Sequence, residues 1–205
     1  MIKGIVFDFG NVLCSFTNEI LLERISAKTG KSKATLFDLI YKKSGLPKLY
    51  ESGSMSSKEF YEKLSTLCGL HVSIGELKEL YSKDKFTRVE GMQEVVSTLQ
   101  NHYKVALLSN TSEWDFAYMT QVAPEIQSFD AISLSYKVGE MKPGTKLFED
   151  VTKKLKLKPE ECVYTDDIPE YVAIAQSLKY NGVLFTSKQT FQQSLENLGV
   201  LELRK

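Results

Sequence analysis

Apolar and polar positions alternate along this chain in blocks of two lengths. Five apolar runs are short, over residues 2–7, 105–108, 131–134, 162–165 and 182–185, and each has the length of a β-strand. Between them lie longer stretches, such as 92–99, 145–155 and 171–178, whose apolar residues recur at helical spacing. Strand-length runs alternating with helical stretches predict parallel strands joined by right-handed crossovers, an α/β chain wound on both faces of one sheet.

The interval between the first and second runs breaks this rhythm. About ninety residues separate them, where a crossover needs about a dozen. Apolar residues at helical spacing over 19–27, and the capping-box pairs Ser56 with Glu59 and Ser73 with Glu76, predict helices there. A small helical cap over 15–88 is therefore expected, inserted into an α/β core domain built from 1–14 and 89–205. A chain of 205 residues is long enough for one core plus such an insertion.

Charge and cysteine usage narrow the partners. Twenty-six basic residues balance 26 acidic ones, so no overall field favours nucleic acid or an anionic membrane, and neither is expected as a partner. No stretch approaches the ~20 apolar residues of a membrane span, and the first residues lack a small-residue cleavage site, so a cytoplasmic protein is expected. Cys14, Cys68 and Cys162 are odd in number and widely spread, which suits buried reduced thiols. Nothing in the composition speaks to oligomeric state.

Chemistry-bearing residues follow the strand-length runs. Asp8 leaves the first run into Phe9-Gly10-Asn11, where α/β sheets open their ligand crevice, although Asp-x-Gly-Asn is also ordinary turn text. Ser109-Asn110-Thr111 follows the second run and offers a hydroxyl and backbone N–H groups to an anionic oxygen, or else caps a helix. Lys142, before Pro143, could neutralise a carboxylate and a bound phosphate together. Asp166-Asp167 ends the fourth run, and adjacent carboxylates repel unless a cation such as Mg²⁺ joins them or they stand in a solvated, helix-capping turn.

In this order the four motifs resemble those of the haloacid dehalogenase-like superfamily: an Asp loop, a Ser/Thr motif, a Lys and an acidic motif. Within it, Asp8-Phe9-Gly10-Asn11-Val12 is similar to a branch of sugar-phosphate phosphatases, and the Asp doublet to the phosphatase domain of epoxide hydrolases. Val89-Glu90-Gly91-Met92 resembles the turn after the cap, with Glu90 in place of proline. The resemblance implies a Rossmann-like sheet of order 3-2-1-4-5 and a magnesium-dependent hydrolase of a small phosphorylated substrate, which in the similar branch is a sugar phosphate. In it Asp8 is the nucleophile, Ser109, Asn110 and Lys142 bind substrate, and Ser109 and Lys142 assist catalysis. Asp8, the Gly10 carbonyl and Asp167 would ligate Mg²⁺. Asp166 would stand behind these ligands or contact Lys142.

Two positions depart from the family pattern. Gly10 stands where the family has an Asp that protonates the leaving group, so the proton has to come from water, from the substrate or from another residue. Tyr171 stands where the family offers Asp or Asn near the metal, with Glu170 as the neighbouring substitute. These departures motivate one alternative, a weak or inactive relative that binds a phosphorylated ligand or a protein partner. A second, a 2-haloacid dehalogenase, has an aromatic residue where Gly10 stands and no use for an acidic doublet.

Overall fold

The computed structural model describes residues 1–200. Five parallel strands, β1 (Gly4–Phe7), β4 (Lys104–Ser109), β5 (Ala131–Leu134), β6 (Cys162–Asp166) and β7 (Asn181–Leu184), form a sheet of order β5-β4-β1-β6-β7. Counting only these strands, that is the expected 3-2-1-4-5. β1, β4, β5 and β6 are buried on both faces over most of their length, as parallel strands under helices must be, and the edge strand β7 is only partly covered. Ile5, Phe7, Leu107 and Val163 point to one face, where α6 (Met92–Gln100), α7 (Glu113–Val122) and α11 (Lys188–Asn197) pack. Val6, Ala106, Leu108 and Tyr164 point to the other, against α9 (Lys146–Leu155) and α10 (Pro169–Ser177).

The segment after β1 leaves and re-enters this core through a short antiparallel ribbon of β2 (Cys14–Phe16) and β3 (Phe86–Arg88), which pairs Phe16 with Phe86. Arg88 ties the ribbon to the core with two bonds of 2.8 Å to the Glu125 carboxylate and one of 2.8 Å to the Val122 carbonyl. Between the two strands the chain is helical, comprising α1 (Glu19–Thr29), α2 (Lys33–Phe37), a π-helical turn (Asp38–Lys43), α3 (Leu46–Glu51), α4 (Ser57–Cys68) and α5 (Ile74–Ser82). Both expected capping boxes form, at the starts of α4 and α5. These helices bury a cluster of their own around Tyr50, Phe60 and Tyr81, to which the core contributes Trp114. All three cysteines are buried and free.

The ribbon carries no long alternating pattern, since each strand has only three residues, and periodicity could not find it. Among the described residues no helix is long and apolar enough to cross a membrane.

Candidate active site

The functional side chains converge because parallel strands end together. Asp8 follows β1 at the centre of the sheet, Ser109 closes β4 on one side, and Asp166-Asp167 closes β6 on the other. Lys142 arrives from the loop after β5 and a one-turn helix, α8 (Ser135–Val138). Asn11, in the left-handed region at φ 53°, bends the loop that follows Asp8; asparagine tolerates this conformation better than most residues. Its amide donates to Asp167 Oδ2 at 2.9 Å and so holds that carboxylate beside the Asp8 loop.

Lys142 is the hub of the site. Its buried ammonium donates to Asp8 Oδ1 at 2.7 Å, to Asp166 Oδ2 at 2.7 Å and to the Tyr164 hydroxyl at 3.2 Å, which accounts for all three of its protons. The Tyr164 hydroxyl in turn donates to Asp166 Oδ2, and the Ile168 N–H donates to Asp166 Oδ1 at 2.9 Å. Asn110 fixes the lysine from the other end: its side chain accepts from Lys142 N at 2.8 Å and donates to the Lys142 carbonyl at 3.2 Å. Ser109 does not cap the following helix. That cap is Ser112, whose hydroxyl accepts from Asp115 N, while Ser109 faces the cavity.

The electrostatics follow from two carboxylates sharing one ammonium. Burial alone would lower the Lys142 pKa, but Asp8 and Asp166 together hold it above the ordinary lysine range. Burial pushes Asp8 up to about 6, because Lys142 offsets only part of the lost hydration and Asp166 adds repulsion. One oxygen from each of Asp8, Asp166 and Asp167 lies within 4.8 Å of the others, an excess of negative charge that Lys142 does not cancel. This oxygen-only donor set suits a hard divalent cation such as Mg²⁺.

A cavity of about 270 Å³ opens above these residues. Asp8, Gly10, Ser109, Asn110, Lys142 and Asp167 reach its wall, whereas Asp166 is buried behind Lys142. The far wall comes from the ribbon and the helical segment: Phe16, Phe86, Glu51 and Lys85, with Asp115 of α7 beside them. Lys85 and Asp115, both buried, pair at 2.7 Å, and Ser82 donates to the other Asp115 oxygen at 2.7 Å. Near the doublet, Tyr171, which departs from the family pattern, lines the cavity, whereas its neighbour Glu170, the possible substitute, is exposed outside it.

Sequence reasoning named the floor of the cavity but missed its roof. Asn11 was readable as part of the Asp-Phe-Gly-Asn text. Glu51, Lys85 and Asp115 look like ordinary surface charges in one dimension, and only the fold shows that Lys85 and Asp115 are buried and Glu51 half-buried.

A profile of haloacid dehalogenase-like hydrolases matches residues 5–184. The chain belongs to the haloacid dehalogenase-like hydrolase family. It is 29% identical over 189 residues to a D-ribitol-5-phosphate phosphatase of Bacteroides thetaiotaomicron, an alignment covering 88% of this chain and 90% of that one. A HAD family enzyme from the same organism, solved in complex with magnesium and inorganic phosphate, superposes with a TM-score of 0.79 at 22% identity, covering 92% and 96% of the two chains. A HAD-like hydrolase from Porphyromonas gingivalis gives 0.76 at 25% identity, covering 97% and 98%. This hydrolase therefore has the fold that the order of its motifs implies.

Proposed function

We propose that this HAD-like hydrolase is a magnesium-dependent phosphomonoesterase that works through an aspartyl-phosphate on Asp8, with a small phosphorylated polyol or sugar as substrate. The observation that carries it is the Asp8–Lys142–Asp166 triad at the floor of a cavity bordered by Ser109 and Asp167. Lys142 holds one Asp8 oxygen, which fixes the carboxylate for attack on phosphorus and sets a positive charge beside the phosphate that would dock there. The Ser109 hydroxyl lies across the cavity to hold a phosphate oxygen. Asn110 contributes by pinning the Lys142 backbone. Asp8, the Gly10 carbonyl and Asp167 would hold Mg²⁺, with Asp166 oriented away on Lys142. When bound, the ion supplies the positive charge that lets an anionic carboxylate approach an anionic phosphate.

Attack by Asp8 forms an O–P bond and breaks the ester O–P bond; water then releases inorganic phosphate and frees Asp8. Polyol recognition is supported by the roof, where Glu51, Lys85 and Asp115 offer acceptors and a donor to hydroxyl groups, and by the likeness to the ribitol-phosphate phosphatase. The helices of 15–88 would then act as the cap domain that closes over the substrate.

A panel of D-ribitol 5-phosphate, sugar phosphates, nucleotides and small-acid phosphates, assayed with and without Mg²⁺, tests this proposal. Mg²⁺-dependent release of phosphate, fastest on the polyol and sugar esters, is expected. Release of halide from 2-haloacids in place of phosphate would overturn it.

A further inference from the structure

Gly10 leaves the reaction without a proton donor at the family's usual place, and the structure explains why another side chain there would be crowded. A Cβ on Gly10 would lie 3.1 Å from the ring of Phe16, tighter than ordinary packing. Most of the remaining ionisable groups on the cavity wall are engaged, and the Tyr171 phenol, which no hydrogen bond holds among the described residues, is raised above its ordinary range by burial and so is a poorer acid than a carboxyl. Lys142 uses its three protons, Asp167 is held by Asn11, and Asp115 has one oxygen on Lys85 and the other on Ser82. Glu51 differs. Among the described residues no hydrogen bond or ion pair reaches its carboxyl group, yet it lines the same cavity as Asp8.

The main chain of Glu51 is also tied to the core. Its carbonyl accepts from the Ser135 hydroxyl at 2.6 Å; the same hydroxyl accepts from Thr111 N at 2.8 Å and lies 3.0 Å from the Thr111 carbonyl. One buried serine thus locks the end of α3 to the loop that carries Ser109. Just beyond, Gly53 at φ 72° lets the backbone close onto the Tyr136 carbonyl, where any side chain would collide. Glu51 is held over the phosphate-binding loop by main-chain geometry, while its carboxyl is free.

Building on the phosphatase proposal above, we infer that Glu51 is the acid–base residue of this enzyme, standing in for the side chain that Gly10 lacks. As the ester O–P bond breaks and phosphorus passes to Asp8, the Glu51 carboxylic acid gives its proton to the departing alkoxide. In the second half the Glu51 carboxylate takes a proton from the attacking water as the Asp8–phosphorus bond breaks, restoring the acid. Burial pushes Glu51 up to about 7; Lys85 draws it down and Asp115 raises it, so near neutral pH both forms are present. The phenols of Tyr41 and Tyr81 share this environment. On the elements packed against α3, Lys42 and Lys43 pair with Asp38, Lys58 pairs with Glu62, Glu59 is bound to Ser56, Lys63 is exposed, and Lys137 lies over the rings of Phe116 and Tyr136.

The test compares the wild-type enzyme with Mg²⁺, Glu51→Gln, Glu51→Asp and Asp8→Asn on two esters. One is p-nitrophenyl phosphate, whose leaving group needs little protonation; the other is the alkyl phosphate that the substrate panel ranks first. Glu51→Gln is expected to lower kcat/KM, which reports phosphoryl transfer to Asp8, on the alkyl ester by about 10²–10⁴ and on the aryl ester by less than about tenfold, since general acid help in that step matters only for the poor leaving group. The basic limb of the alkyl pH profile should disappear with it. Glu51→Asp keeps a titrating carboxyl one methylene short, and it should retain that limb with an intermediate, alkyl-selective loss even if the glutamine variant folds poorly. Equal loss of kcat/KM on both esters, or an unchanged alkyl kcat/KM, overturns the assignment while leaving the phosphatase intact. If the wild type turns over neither ester and matches Asp8→Asn, the phosphatase proposal falls, and the role of Glu51 falls with it.

Discussion

At the scale of single residues, the site separates two aspartates that are neighbours in sequence. Asp166 is fully buried, with one oxygen shared by Lys142 and Tyr164 and the other on the Ile168 N–H, whereas Asp167 stands on the cavity wall beside Asn11. Asp167→Ala should therefore weaken Mg²⁺ binding, measured by calorimetric titration, with little effect on unfolding. Asp166→Ala should do the reverse, costing about 3–5 kcal/mol in denaturant unfolding because it strips a partner from a buried ammonium. Asp8→Asn should abolish phosphate release and leave the far-UV circular dichroism unchanged. The doublet was visible in the sequence, and alternation along an extended segment already implied that its two side chains diverge. Asn110 was visible as well, but not its use: that its amide grips the Lys142 backbone depends on a loop that arrives 32 residues later.

At the scale of elements, the joint between α3 and the core carries the roof. Ser135 bridges the Glu51 carbonyl to Thr111, and Gly53 packs against Tyr136. Gly53→Ala should destabilise the protein by about 2 kcal/mol or more, combining left-handed strain with a backbone collision, and should lower kcat/KM on the alkyl phosphate as Glu51 shifts. A thermal melt with kcat/KM measured on the alkyl phosphate and on p-nitrophenyl phosphate, the loss being confined to the former, checks both parts. The buried Lys85–Asp115 pair behaves differently. Asp115→Ala alone should cost about 3–5 kcal/mol, and replacing both partners with apolar residues should return much of it. The five strands and the helices between them were legible because buried strands and amphipathic helices have distinct periods. The helical nature of 15–88 was legible from its caps. The ribbon of β2 and β3, the short helix α8 and the docking of α3 were not, because they are brief and are stabilised by contacts distant in sequence.

For the whole molecule, a carboxyl whose pKa is raised by folding ties stability to pH. Glu51 has an unperturbed value of 4.5 and is pushed up to about 7 in the folded protein, chiefly by burial. Protonation therefore favours the folded state: the contribution is fully present below pH 4.5 and is lost as pH rises through about 7. A shift of this size corresponds to on the order of 3 kcal/mol, reduced to about 1–2 by the solvent that reaches a half-buried side chain through the cavity. Glu51→Gln keeps the shape of the protonated acid but cannot ionise. The difference in unfolding free energy between wild type and Glu51→Gln, followed by urea denaturation from pH 5 to pH 8, should therefore move steadily in favour of the glutamine variant. Most of the change should fall between pH 5 and pH 7, between the unfolded and folded values, and level off above pH 7 as the alkyl phosphatase activity of the wild type loses its proton donor. A difference that stays constant across this range would mean that Glu51 is already ionised in the folded protein. Its proton would then be unavailable at neutral pH, and the leaving group would have to be served by water.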